Sequence, residues 1–102
     1  MVKNRENLQA LLVNILGSKH VYFQPPESVR MEYPAIVYSR SNIQNIFADN
    51  SVYTQDNTYE IIIIDKNPDS DIVKKVSLLP YCRFVRHYKS ENLNHDVFNI
   101  YF

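Results

Sequence analysis

The sequence predicts an α+β fold: a mostly antiparallel sheet of about five strands with two helices packed on one face. Two segments carry apolar residues at three- and four-residue steps, which is typical of amphipathic helices. Other segments carry alternating or continuous runs of apolar and β-branched residues, which favours strands. The 102 residues suffice for one hydrophobic core and not for two, so we expect a single domain spanning 1–102.

The first helix is predicted from Asn4 to Leu16, because its apolar residues fall on one helical face. Asn4 can cap its start, and Gly17 can end it in the left-handed conformation. A short strand is expected from His20 to Gln24, since the two prolines that follow it lack backbone donors. The apolar helical face consists of Leu8, Leu11, Leu12, Ile15 and Leu16.

The next two strands flank a long connection. One is predicted from Pro34 to Arg40 and the other from Thr58 to Asp65. The latter contains the consecutive isoleucines 61–64, which place β-branched side chains on both faces and predict a central strand. The Asn-rich segment 42–57 is long for a connection inside a compact domain. It forms either a projecting hairpin built from strand extensions or a loop that a partner orders.

A second helix is predicted from Ser70 to Leu79. Asp69 and Asp71 supply the cap and the negative charge that favour a helix start. The last two strands are expected at Cys82–Lys89 and Val97–Phe102, joined by a polar connection. The element order is therefore α-β-β-β-α-β-β.

The composition argues against several classes of function. A single glycine, Gly17, leaves no glycine-rich loop for phosphates or dinucleotides. Eleven basic and eleven acidic residues balance and are scattered, which gives no support for DNA as the main partner. The lone Cys82 cannot form an internal disulfide and indicates a reduced, cytoplasmic product. No segment reaches the roughly 18 to 20 apolar residues that span a bilayer, so no membrane partner is expected.

Several polar residues are weighed as sites of chemistry. The three histidines stand at long, irregular intervals, without the ligand spacing of a metal site. His95 and Asp96, with Ser90 or Cys82, contain the residue types of a triad, but polar residues in a hairpin loop are the preferred interpretation.

Two minor alternatives remain, a metal-dependent enzyme and a nucleic-acid-binding protein. Asp65, Asp69 and Asp71 invite comparison with a metal site, but the glycine that a calcium loop needs is missing. We favour helix capping, which accounts for Asp69 and Asp71. Aromatic residues interleave with the basic residues of the strand that carries Arg83 and Arg86. Period-two alternation puts these two arginines on opposite faces, which opposes a single basic surface. We therefore predict no catalytic, metal-binding or cofactor-binding site.

Aromatic residues are more numerous than a small core can hold. The chain has thirteen, eight of them tyrosines, and buried tyrosines need partners for their hydroxyl groups. Some tyrosines therefore lie on the surface, where they are enriched at protein interfaces. We expect the chain to work by binding other protein subunits.

Five segments together form a pattern that is similar to a known family. They are Asn7–Leu12, Val21–Ser28, Tyr33–Tyr38, Tyr59–Ser70 and Asn94–Tyr101. Through these segments the chain resembles the small tail-terminator, or tail-completion, proteins of tailed phages and prophages. The resemblance spans nearly the full length, with the elements in the same order. It rests on overall patterns, not on motifs with a chemical mechanism.

The resemblance implies a structural protein without enzymatic activity or cofactor. Such a protein forms a homo-oligomeric ring, commonly a hexamer, that caps the tail-tube protein and offers a docking face to the head connector. DNA meets it only in transit through the lumen. The implied location is the virion, at the head–tail junction, after assembly in the cytoplasm of the bacterial host. The alternative role is a head-completion, stopper or other head–tail connector protein.

A ring requires heterologous contacts, in which one patch meets a different patch of the next subunit. We expect these contacts in the long loop and in the terminal strand. For the terminal strand, ordinary core burial is an equal alternative. The expected interface residues are Ile43, Ile46, Phe47, Val52 and Tyr53 of the loop and Phe98, Ile100 and Phe102 of the strand.

Overall fold

A computed structural model describes residues 4–48 and 51–102, without the side chains of 42, 44–48 and 51–56. Within these residues the chain forms two helices and one five-stranded sheet, which confirms the predicted α+β class. The elements are α1 (Arg5–Leu16), β1 (Val21–Phe23), β2 (Ala35–Ala48), β3 (Ser51–Asp65), α2 (Asp71–Ser77), β4 (Cys82–Ser90) and β5 (Leu93–Tyr101).

The sheet is mixed, which corrects the expectation of a mostly antiparallel sheet. β1 runs parallel to β2, with Val21 opposite Ile36, whereas the other strand pairs are antiparallel. Prolines follow β1 in place of a tight hairpin turn, and residues 24–34 carry the chain back so that β2 runs in the same direction as β1. The lateral order is β1-β2-β3-β5-β4, so it also departs from the order along the chain.

The core lies between the helices and one face of the sheet. Alternate residues of β3 are buried on this face, and their partners on β2 and β5 continue the same layer. β3 is the third of the five strands, as its run of isoleucines predicted. The core cluster consists of Leu8, Leu12, Val21, Ile36, Tyr38, Tyr59, Ile61, Ile63, Val76, Phe98 and Ile100.

Helix α1 begins and ends at the residues that the sequence predicted. The Asn4 side chain accepts a hydrogen bond at 2.8 Å from a backbone N–H of the first turn, and Gly17 has a φ of 77°. Gln9 ties the helix to the sheet, because its amide donates to the Val21 carbonyl at 3.2 Å and its oxygen accepts from the Tyr38 hydroxyl. Burial raises the pKa of Tyr38 above its ordinary value.

Strands β2 and β3 extend beyond the rest of the sheet as a two-stranded arm, residues 42–48 paired with 51–57. The ladder between β3 and β5 begins only at Thr58. The terminal Phe102 N–H donates to the Asn57 carbonyl at 2.9 Å, at the base of the arm. The segment 42–57 thus consists of strand extensions, with residues 49 and 50 outside the described part of the chain.

Strands β4 and β5 are joined by a tight turn in place of the expected polar connection. Both turn residues, Glu91 and Asn92, have positive φ, 53° and 65°. Two left-handed residues are typical of the two-residue hairpin loop that matches strand twist. β5 therefore begins at Leu93 instead of Val97. The prediction missed the start of β5, because the polar stretch Asn94–Asp96 lacks the apolar alternation that indicates a strand.

Candidate protein interaction site

The terminal strand contributes to the core of the subunit. Phe98 and Ile100 are 0% and 1% exposed, and Phe98 lies opposite Ile61 of β3. Both side chains are therefore buried inside the subunit. Phe102 differs, because it is half-buried at the very end of the chain.

The arm carries the other predicted interface residues. Ile43, near its base, is 44% exposed. The side chains of Ile46, Phe47, Val52 and Tyr53 lie outside the described residues, although the backbone pairs Phe47 with Val52. Ile43 is therefore the arm residue for which exposure is established.

An apolar groove lies at the C-terminal end of the chain, and we call it the C-terminal groove. It has a volume of about 380 Å³ and almost purely apolar walls. α1, the connection between α2 and β4, and the end of β5 each contribute to it. The lining residues are Leu11, Leu79, Pro80, Tyr81, Ile100, Tyr101 and Phe102.

Backbone contacts hold the groove residues in place. Pro80 follows α2, where a helix cannot continue through it, and Tyr81 adopts a left-handed φ of 59°. Such a conformation costs a non-glycine residue about 1–2 kcal/mol. The Tyr81 carbonyl accepts from the Tyr101 N–H at 3.1 Å, and the Cys82 N–H donates to the Leu79 carbonyl at 3.3 Å. The first bond joins the α2–β4 connection to the end of β5, and the second closes a turn at the start of β4.

Large apolar side chains are exposed in the groove and in the chain segment beside it. Leu78, which precedes the lining residue Leu79, is 84% exposed, and Tyr81 and Tyr101 are 72% and 50% exposed. Clustered exposed apolar groups mark interaction sites more often than single ones do. The sequence interpretation missed this cluster, because it placed Leu78 and Leu79 in the second helix, which ends at Ser77. The signal that would have found it is the apolar run that continues past the end of α2.

The histidines pair differently from the combination that the sequence suggested. His87 Nδ1 lies 2.8 Å from Asp96 Oδ1, and His20 Nε2 lies 3.0 Å from Glu32 Oε2. His95 instead stacks on a tyrosine ring. Among the described residues, no Ser, Thr or Cys side chain is hydrogen-bonded to any of these imidazoles. The described part of the chain therefore contains an acid–base pair but no activated nucleophile beside it.

Asp65, Asp69 and Asp71 lie at the end of β3, in the β3–α2 connection and in the first turn of α2. Asp65 accepts from the Asn67 N–H at 3.0 Å, and Ser70, not Asp69, caps α2 with its side chain. Where residues are described, no cluster of three or more His, Cys, Asp or Glu residues could hold a metal ion. Burial raises the pKa of the Cys82 thiol to about 11, which keeps it protonated and weakly nucleophilic at neutral pH.

Comparison with protein-family models and with curated protein sequences finds no match to this chain. None of the helices in the described ranges combines the length and the apolar character that crossing a bilayer requires.

Proposed function

We propose that the chain is a structural protein of tailed-phage virions, a tail terminator that forms a ring on the tail tube and joins it to the head connector. The resemblance of the sequence to tail-terminator proteins supports this role, and so does the exposed apolar surface. The proposed partners are further copies of the chain in a ring, commonly a hexamer, the tail-tube protein and the head connector. Catalysis and cofactors have no part in the proposal.

The observation that carries the proposal is the apolar surface around the C-terminal groove. A side chain such as Leu78 contributes about 1.5–3 kcal/mol when it moves from water into a buried contact. Aromatic anchors seated in pockets supply much of the binding energy at interfaces, and Tyr81 and Tyr101 border such a pocket. Burial of this groove by a partner therefore contributes favourable binding free energy.

The arm supplies the second patch that a ring needs. It extends past the sheet, in a subunit that measures 52 Å along its longest axis and 27 and 24 Å along the others. A groove and an arm are different surfaces of one chain, so the arm of one subunit and the groove of the next can make a heterologous contact. Ile43 at the base of the arm is an exposed apolar residue suited to this contact.

Electron microscopy of the purified protein mixed with its tail-tube protein tests the role. Rings at the tube ends, together with shortened tubes, are the expected result. Tubes that grow uncapped would contradict the terminator role. Binding to the portal or connector without binding to tubes would favour the head-completion or stopper alternative.

A double variant and a control variant test the contribution of the groove to assembly. Leu78→Gln combined with Tyr101→Gln removes one exposed apolar group beside the groove and one that lines it, and leaves the core intact. We expect assembly to weaken by about tenfold or more while the urea midpoint stays unchanged. Val85→Gln is the matched control, because Val85 is a 41% exposed apolar residue of β4 outside the groove. Equal losses of assembly in the two proteins would argue against the groove as the contact.

A further inference from the structure

A β-bulge in β4 brings two arginines to one face of the sheet. The register of β4 against β5 shifts between Phe84 and Arg86. Arg83 lies opposite Asn99 and Arg86 lies opposite Val97. Positions 97 and 99 share a face, because side chains alternate along a strand. The bulge thus places both arginines on the same face, and the opposite placement expected from regular alternation is wrong.

This face is the one turned away from the helices, and it also carries an aromatic pair. Tyr88 and His95 lie opposite each other in register, and their rings stack with centroids 4.6 Å apart and planes 9° from parallel. The Arg86 guanidinium carbon lies 5.7 Å from the centre of the Tyr88 ring, within cation–π distance. We call this surface the basic–aromatic face, and it consists of Arg83, Arg86, Tyr88, His95 and Asn99.

Both guanidinium groups can bind an anionic ligand. Arg83 and Arg86 are exposed, and neither forms an ion pair with another described residue. Glu60, opposite Asn99 on β3, is the one carboxylate of this face among the strand residues whose side chains are described. β4 is an edge strand, so an extended ligand can run along it without meeting a further strand of the sheet.

We infer that the basic–aromatic face binds single-stranded nucleic acid. The arginines are about 7 Å apart along the strand, two partner positions at about 3.4 Å each, which suits contacts with successive phosphates. The stacked Tyr88–His95 pair offers a platform for an unpaired base. In a duplex the flat faces of the bases are stacked on one another, so they are not available to the aromatic pair. An acidic polypeptide would neutralise the arginines but leave the aromatic pair unused. This inference goes beyond the proposed ring and does not depend on it.

Fluorescence anisotropy with a labelled oligothymidylate of about 12 nucleotides tests the inference. Binding should weaken as salt rises from about 50 to about 200 mM. The double variant Arg83→Gln/Arg86→Gln should reduce the slope of log Kd against log salt by about 1.4, since each single-strand phosphate contact contributes about 0.7. Tyr88→Leu should weaken binding about tenfold and leave the slope unchanged.

Two matched variants separate this face from the rest of the surface. Lys74→Gln/Lys75→Gln removes two exposed charges from α2, and Phe84→Leu removes an exposed ring from β4 on the opposite face of the sheet. Both should bind the oligonucleotide like the unmodified protein, with circular dichroism used to verify folding. Any one of three results would overturn the inference: losses in the controls equal to those in the face variants, a duplex that binds as tightly as the single strand, or equal competition by polyglutamate.

Discussion

Replacing Ser70 with alanine removes the side chain that caps α2. Its Oγ accepts a hydrogen bond from the Ile72 N–H at 3.3 Å, and the residue is only 5% exposed. Loss of a cap costs about 0.5–2 kcal/mol, and little water can replace this one, so we expect a loss of about 1 kcal/mol in the free energy of unfolding. Asp69→Ala should lower the free energy of unfolding by less than about 0.5 kcal/mol, because the Asp69 carboxylate is exposed. The Asp69 backbone N–H donates to Asn67 Oδ1 at 2.9 Å, and the substitution leaves this bond in place.

Urea unfolding followed by circular dichroism measures both variants. A loss of about 1 kcal/mol lowers the midpoint by about 0.3–1 M at an unchanged m-value. Ser70→Thr, which keeps the hydroxyl group, is the control and should retain most of the stability. If Asp69→Ala lowers the midpoint more than Ser70→Ala does, the cap described here is refuted, and Asp69 takes the role that the sequence suggested.

Three further predictions concern the core and its buried polar groups. Phe98→Ala should lower the free energy of unfolding by about 3–5 kcal/mol in the same urea assay, and a loss below about 1 kcal/mol would contradict its burial. Tyr38→Phe deletes the hydroxyl that donates to Gln9 and should cost about 0.5–1.5 kcal/mol, so an unchanged midpoint would show that this bond contributes nothing. Burial raises the pKa of the Cys82 thiol from its ordinary value of 9.0 to about 11. The stability that the protonated thiol contributes is therefore fully present below about pH 9 and is lost as the pH rises towards about 11. Between about pH 8 and about pH 10.5 the unmodified protein should therefore lose more stability than Cys82→Ala, and equal losses would contradict the raised pKa.

The parts of the fold that the sequence predicted correctly depend on local signals. Asn4 and Gly17 lie within one helical turn of the backbone groups with which they interact, so the ends of α1 can be predicted without a tertiary structure. The isoleucines 61–64 predict burial on both faces of a strand wherever its neighbours lie, and β3 is the central strand.

The sequence predicted surface tyrosines for the candidate interaction site, but not their positions. A surplus of tyrosines indicated that some lie on the surface, yet it could not identify them. Tyr38 and Tyr59 are buried in the core, whereas Tyr81 and Tyr101 border the C-terminal groove. Which tyrosine is buried depends on strands and helices that are distant in the sequence, and composition carries no information about those neighbours.

By itself the sequence determined the α+β class, the capped first helix and the central third strand, because these follow from propensities and periodicities that act over a few residues. Only the tertiary structure decided the parallel pairing of β1, the tight turn at Glu91 and Asn92, and the bulge that aligns Arg83 with Arg86. Each of these depends on the register between strands. A shift of one residue in that register moves every side chain to the other face, and the register is set by pairing partners that local pattern does not identify.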